Sequence, residues 1–249
     1  MSTQPVDAQP RIVQVRQALL KENDLRARAL RQRFTEAGVC VVSLVSSPGS
    51  GKTELLERTL ASLAPMHRVA ALVGDLATQN DADRLTRAGA PARQILTNTT
   101  CHLEARMVEE AIGDWNLDEL KYLFIENVGN LVCPSGYDLG EHLRAVLFAT
   151  TEGEDKPRKY PTIFHTADLA VIAKLDLADA VGFDREAALA SVESVRPGMR
   201  VVDLSARSGA GMDAWLAALA EARRGLPEAD RAPRVAAPVR RSAPPLCGR

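Results

Sequence analysis

The chain of 249 residues carries a formal net charge of -1, and only 4% of its residues are aromatic. It therefore has neither a basic field nor enough stacking side chains to attract nucleic acid, and nucleic acid is not an expected partner. The sequence has no apolar run of about eighteen residues and no apolar secretory core, which favours a cytoplasmic protein with no membrane partner. Its 4 cysteines are too few for a disulfide framework in a chain of this length.

The chain divides into three predicted parts. Residues 1–36 form a helical extension, because their apolar residues recur at near-helical spacing. The pair Asn23 and Asp24 offers a helix cap that would split this extension in two. Residues 37–226 form the main domain. Residues 227–249 are rich in proline and arginine and are expected to form a disordered tail.

The main domain alternates short apolar, β-branched runs with helix-forming segments. The predicted strands are Cys40–Val45, Arg68–Asp75, Lys121–Asn127, Arg144–Thr151, Leu169–Asp176 and Arg200–Ser205. This alternation predicts an α/β fold with a mostly parallel central sheet and helices on both faces. Ligands of such sheets bind beyond the carboxyl ends of the strands, and the loops with the most distinctive sequences lie there.

The stretch SSPGSGKTELLE, which starts at Ser46, predicts a phosphate-binding loop (P-loop). Ser46 stands where the usual pattern has its first glycine. Lys52 is suited to reach the outer phosphates, Thr53 offers a hydroxyl to Mg²⁺, and the following helix presents its N-terminus to the anion. The predicted nucleotide-binding residues of this loop are Pro48, Gly49, Ser50, Gly51, Lys52, Thr53 and Glu54.

Two acidic strand ends are candidates for holding Mg²⁺ together with Thr53. Asp75 ends the second predicted strand, and Glu126 lies near the end of the third. Glu126 begins an acid-x-x-glycine pattern, in which Gly129 can move and donate its backbone N–H to a terminal phosphate. Lys52, Asp75 and Glu126 are the predicted catalytic residues. Each carboxylate taken alone could equally cap the next helix.

The last two strands end in segments that resemble guanine-recognition elements, IAKLD and LSARSGAG. A carboxylate at Asp176 can accept two hydrogen bonds from guanine but meets a repelling lone pair on adenine. Lys174 can cover the base, and Ser205 and Ala206 belong to the second element. Ala173 stands where an asparagine is usual, so we expect GTP preference with reduced affinity.

Cys101, His102 and Cys133 are candidate ligands for Zn²⁺ or Ni²⁺, because thiolate and imidazole are borderline-soft donors. Their spacing alone is a weak signal and by itself favours buried thiols over a metal site. Cys133, however, lies seven residues after Glu126, in the segment expected to move with the terminal phosphate. A ligand there would couple metal binding to nucleotide state.

Several stretches together resemble the HypB family of nickel-insertion GTPases for [NiFe]-hydrogenase maturation. They are the P-loop, CHLEA, FIENVGNLVCPSGYDLGE, TEGEDKPRKYP and LSARSGAGMDAW, and they fall between Cys40 and Leu219. The resemblance implies a P-loop NTPase fold of the SIMIBI-like class and slow GTP hydrolysis with Mg²⁺. It also implies a GTP-dependent homodimer that delivers nickel to the hydrogenase large subunit together with maturation proteins such as HypA.

The resemblance also implies specific site residues. Cys101, His102 and Cys133 would hold Ni²⁺, or alternatively Zn²⁺, at the dimer interface, and Lys159 would reach toward the partner's nucleotide. Many family members carry a cysteine or histidine cluster near the N-terminus, but residues 1–39 contain neither residue type, so tight nickel storage is not expected.

Three alternatives stay open from the sequence. A urease-type nickel GTPase would be expected to read Cys-Pro-His, whereas this chain has Ser135 after Cys133-Pro134. A small-molecule kinase could use the same P-loop, although no acceptor site is recognisable. A metal-binding scaffold without turnover is the third.

Overall fold

The computed structural model describes residues 11–75, 80–97 and 100–226 of the chain. Its strands are β1 (Cys40–Ser46), β2 (Val69–Asp75), β3 (Ala92–Leu96), β4 (Tyr122–Glu126), β5 (Leu143–Ala149), β6 (Leu169–Ala173) and β7 (Arg200–Asp203). Its helices are α1 (Arg11–Ala37), α2 (Lys52–Leu63), α3 (Asn80–Arg87), α4 (Ala105–Ala111), α5 (Lys156–Lys159), α6 (Pro161–Thr166), α7 (Ala178–Val181), α8 (Arg185–Val195) and α9 (Met212–Arg224). The predicted tail, residues 227–249, lies outside the described residues.

The strands form one sheet of 7 strands in the order β3-β2-β4-β1-β5-β6-β7. Every pairing in it is parallel. The central strands β1 and β4 are buried along their whole length, as their continuous apolar sequences require. The predicted α/β fold is therefore confirmed, and β1 lies at the centre of the sheet with the P-loop at its carboxyl end.

Helices cover both faces of the sheet. Along β1, Val42 and Leu44 pack in the same core as Leu56 of α2 and Trp215 of α9. The intervening Val41 points to the other face, where the core includes Phe34 of α1 and residues of α4. This alternation follows from the two-residue period of a strand. Among the described residues, no helix is both long and apolar enough to span a bilayer.

Helix α1 is continuous across the Asn23-Asp24 pair, so the predicted division of the extension is wrong. The Asn23 side chain is buried and forms tertiary hydrogen bonds in place of a cap. Its Nδ2 donates to the Asp138 carbonyl at 2.8 Å, and its Oδ1 accepts from the Ala105 amide at 2.9 Å. Because these long-range bonds satisfy the amide, the helix has no reason to end there.

Candidate nucleotide and metal site

The P-loop joins β1 to α2 in a conformation that depends on glycine. Gly49 and Gly51 have positive φ angles of 75° and 98°, and Gly51 is the residue before the first turn of α2. Lys52 Nζ donates to Ser46 Oγ at 2.8 Å. The serine at the first glycine position therefore accepts a hydrogen bond from the lysine that is predicted to bind the phosphates.

Glu152 braces the P-loop from the segment that follows β5. Its Oε2 accepts hydrogen bonds from Ser50 Oγ and from the Ala149 amide, both at 2.8 Å, and its Oε1 pairs with Lys156 Nζ at 2.9 Å. Burial by itself would raise the pKa of Glu152, but these hydrogen bonds outweigh it and leave the pKa below its usual value. Glu152 lies in the stretch TEGEDKPRKYP, where no local pattern indicates this role.

Thr53 and Glu126 meet beside the loop. Thr53 Oγ1 donates to Glu126 Oε1 at 2.7 Å, and the carboxylate is buried at the end of β4. Asp75 is the last residue of β2, which pairs with β4, while its side chain lies outside the described part of the chain. Two oxygen donors of this kind match the hard-cation preference of Mg²⁺.

Gly129 lies directly against the loop. A Cβ atom on Gly129 would stand 2.9 Å from Pro48 Cα and 3.1 Å from Pro48 N. The predicted phosphate-sensing glycine therefore lies so close to the P-loop backbone that a side chain at this position would clash with it.

The predicted base-binding residues line a cavity of about 230 Å³ that continues from the P-loop. The cavity is bounded by Ser50, Gly51, Glu54, Ala173, Lys174, Asp176, Leu177, Leu204, Ser205, Ala206 and Arg207. Asp176 Oδ1 accepts a hydrogen bond from Ser205 Oγ at 2.5 Å, which fixes the carboxylate in the cavity wall. Ala173 presents only a methyl group there.

Lys174 adopts a left-handed backbone conformation with φ 58°, the only positive φ at a non-glycine position among the described residues. Such a conformation costs of order 1 kcal/mol and is retained where the surroundings determine it. Here Thr150 Oγ1 donates to the Lys174 carbonyl at 2.8 Å. The lysine stem reaches the P-loop, since its Cε lies 3.9 Å from where a Cβ on Gly51 would be.

Lys159, unlike the predicted base-binding residues, is not among the residues that line this cavity. It lies at the end of α5, is 61% exposed, and pairs with Asp155 at 2.8 Å. This hydrogen bond and charge raise the pKa of Lys159, so the side chain remains cationic. An exposed cation on this surface is accessible to a second molecule.

Cys101, His102 and Cys133 lie together, with one potential ligand atom from each within 4.8 Å of the others. All three residues are half-buried, and the two Sγ atoms are 2.7 Å apart with both cysteines free. The hydrogen bond to Cys133, with burial next, raises the pKa of Cys101. A metal ion would displace this proton, because the thiolate is the ligand form.

The His102 ring is packed in place, and its two nitrogen atoms are available to a ligand. Tyr137 packs against it with ring centroids 3.9 Å apart, and neither ring nitrogen has a hydrogen-bond partner although both are buried. Burial lowers the pKa of His102, while the charge of Glu104, whose Oε1 lies 3.7 Å from Nε2, acts in the opposite direction. Buried polar atoms without partners are costly, so this site fits a metal ion better than an empty pocket.

Ser135 lies beside this cluster but is not part of it. Its Oγ donates to the Val132 carbonyl at 2.7 Å within its own turn, and the residue is half-buried. The position at which the urease-type sequence has histidine thus supplies no imidazole in this chain.

A P-loop after the central strand of a parallel sheet, with a base cavity on one side, defines the class of P-loop nucleotide-binding proteins. The fold is shared with the signal recognition particle 54 kDa protein from Aeropyrum pernix, at a TM-score of 0.51 and 15% identity over 74% of this chain and 49% of that chain. At this identity the likeness concerns the fold alone, and it agrees with the predicted SIMIBI-like class.

More specific similarities identify the family. Residues 40–203 match the CobW/HypB/UreG nucleotide-binding domain. The hydrogenase maturation factor HypB of Azotobacter vinelandii is 48% identical over 212 residues, which span 84% of this chain and 69% of the relative. The chain therefore belongs to the HypB family of hydrogenase maturation factors, as its motifs suggested.

A solved structure supports the same assignment. HypB from Helicobacter pylori, crystallised in complex with nickel, superposes with a TM-score of 0.77 and 38% identity, covering 82% of this chain and 95% of that chain. The resemblance noted in the sequence thus extends to the three-dimensional structure of most of the chain.

Proposed function

We propose that this protein binds and slowly hydrolyses GTP and uses that cycle to deliver nickel during maturation of a [NiFe]-hydrogenase large subunit. The observation that carries the proposal is the Cys101, His102 and Cys133 cluster, whose Cys133 lies on the segment that leaves β4 just after Glu126. The relative from Helicobacter pylori was crystallised with nickel, which supports Ni²⁺ as the ion. Zn²⁺ is the competing ion, because the same donors suit it.

In this proposal Lys52 neutralises the outer phosphates, while Asp176 and Ser205 select guanine and Lys174 covers the base. Thr53, Glu126 and Asp75 would hold Mg²⁺, which neutralises charge on the phosphate oxygens when bound. The partly buried hydrogen bond between Thr53 and Glu126 supports this assignment, since the two oxygens already face one another.

Three protein ligands leave nickel with open coordination, which suits transfer better than storage. We propose that two copies of the chain associate in the GTP state, that the exposed Lys159 then reaches the partner's nucleotide, and that hydrolysis loosens the dimer and releases nickel. HypA and the hydrogenase large subunit are the proposed partners, and the cytoplasm is the proposed location.

The proposal is tested by measuring Ni²⁺ and Zn²⁺ stoichiometry and dimer mass with GDP and with a non-hydrolysable GTP analogue. Cys133→Ala is expected to lose nickel. The matched control is Cys40→Ala: burial raises the pKa of Cys40 to about 12, so its thiol is not a ligand and its removal should leave nickel bound. Equal metal binding in Cys133→Ala and the parent would refute the metal site.

Turnover is tested separately, without any phosphate acceptor. The parent should convert GTP to GDP and phosphate, and Lys52→Ala should fall to background, because the lysine charge is lost. Hydrolysis that is absent from the parent, or equal in both proteins, would refute the GTPase assignment. Turnover that requires an added acceptor would instead indicate a kinase.

A further inference from the structure

Asn127 connects the nucleotide strand to the loop that carries His102. It follows Glu126, is 2% exposed, and donates its backbone N–H to the Leu44 carbonyl of β1 at 3.0 Å. Its side-chain Oδ1 accepts two backbone hydrogen bonds, from Val128 N at 2.9 Å and from Leu103 N at 3.1 Å. One buried amide oxygen therefore ties the end of β4 to the residue after His102.

Leu103 is held from a second strand as well. Its side chain is fully buried and packs on Gly74 of β2, where a Cβ atom would stand 2.8 Å from Leu103 Cγ. Gly74 precedes Asp75, and Asn127 follows Glu126. Leu103 is thus fixed against the ends of the two strands that carry both candidate Mg²⁺ carboxylates.

We propose that Asn127 is a positioning residue that transmits the nucleotide state from the end of β4 to His102; this inference rests on the proposed function. Breaking its bond to Leu103 would leave a buried N–H without a partner, which is costly. Asn127 and Leu103 therefore move together when the Glu126 segment responds to a terminal phosphate. Because His102 is joined to Leu103 by the chain, the imidazole is displaced relative to Cys133.

Asn23 provides a matched comparison within the same molecule. Its Oδ1 accepts from Ala105 N at 2.9 Å, two residues beyond Leu103, and its Nδ2 donates to Asp138. Asn23 is also a buried asparagine, but it belongs to α1 and not to a nucleotide-binding strand. Its two side-chain hydrogen bonds hold the same loop from α1 and go to Ala105 and Asp138, not to the end of β4.

The experiment measures the dissociation constant of Ni²⁺ by chelator competition, with GDP and with a non-hydrolysable GTP analogue, for the full chain. In the parent the two constants should differ by the roughly 5- to 150-fold typical of coupled sites. In Asn127→Ala the ratio should fall to within about twofold of unity. In Asn23→Ala both constants should weaken while the ratio stays as in the parent. By linkage, nickel should lose its effect on analogue affinity only in Asn127→Ala.

If Asn127→Ala keeps the parental ratio of the two nickel dissociation constants, the role of Asn127 is refuted and the proposed function is not. Loss of the ratio in Asn23→Ala as well would also overturn the role of Asn127, because general rigidity of the loop would then explain the effect. A parent that binds nickel equally in both nucleotide states would refute the proposed coupling itself and the inference with it. If thermal unfolding shows that Asn127→Ala does not fold, Asn127→Ser, whose hydroxyl is too short to reach Leu103, is judged by the same criteria.

Discussion

Replacing Gly129 by alanine should weaken nucleotide binding through a clash that the structure locates. The added Cβ would stand 2.9 Å from Pro48 Cα. Ordinary carbon contacts begin at about 3.5 Å, so the two loops must separate by roughly 0.6 Å. The contact involves backbone atoms, which cannot rotate away, and overpacking of this kind costs about 1–3 kcal/mol.

If that cost falls on the nucleotide-ready form of the P-loop, affinity for GDP and for a GTP analogue should fall by about 5- to 150-fold. Calorimetric titration of both nucleotides measures it. The control is Gly225→Ala, where the nearest atom to a Cβ is Ala222 O at 3.5 Å and φ is -72°. Binding by Gly129→Ala within twofold of both the parent and this control would refute the contact between the two loops.

Three further predictions concern single side chains. Asp176→Asn should weaken GTP binding by about 10- to 150-fold, because a charge-assisted hydrogen bond is lost, with ATP affinity unchanged in a competition assay. Glu152→Gln should lower the free energy of unfolding at pH 7 by about 1–3 kcal/mol. The pKa of Glu152 in the folded protein is below its usual 4.5, so the carboxylate stabilises the fold only while it is ionised. Urea titrations should therefore show the stability difference between variant and parent disappearing as the pH falls from 4.5 through the folded-state pKa. Burial, with the charge of Arg31, lowers the pKa of His142 to about 4, so between pH 6.5 and 4 the unfolded chain binds more protons and stability should decline by about 3 kcal/mol. In urea titrations, His142→Gln should reduce this decline in stability with falling pH. A decline as steep as that of the parent would contradict its assignment to His142.

The strands of the central sheet could be predicted because buried parallel strands are continuous apolar runs. Strand β3 was missed for the opposite physical reason. It lies at the edge of the sheet, and its Arg93 and Gln94 are only half-buried, so it has no such run. Arg93 instead pairs with Asp114 and lies over the Trp115 ring. These contacts depend on tertiary structure that a strand pattern does not encode.

The candidate site residues lie within contiguous motifs, and the sequence could indicate them because the P-loop and the base elements are local patterns. The side chains that hold these segments in place by hydrogen bonds come from distant parts of the sequence. Glu152 reaches Ser50 across 102 residues of sequence, and Asn23 reaches Ala105 across 82. Asn23 illustrates the ambiguity well, since the same amide that favours a helix cap in the sequence serves as a buried bridge once the chain has folded.

The order of the sheet places β4 where it would serve both proposed ligands. Strand β4 lies between β1, which leads into the P-loop, and β2, which ends in Asp75. Successive side chains at the end of a strand point to opposite faces. Glu126 therefore meets Thr53 on the α2 face, and the next residue, Asn127, meets Leu103 on the α4 face. A displacement of this one strand end would act on the phosphate side and on the metal side together, which a strand at the edge of the sheet could not do.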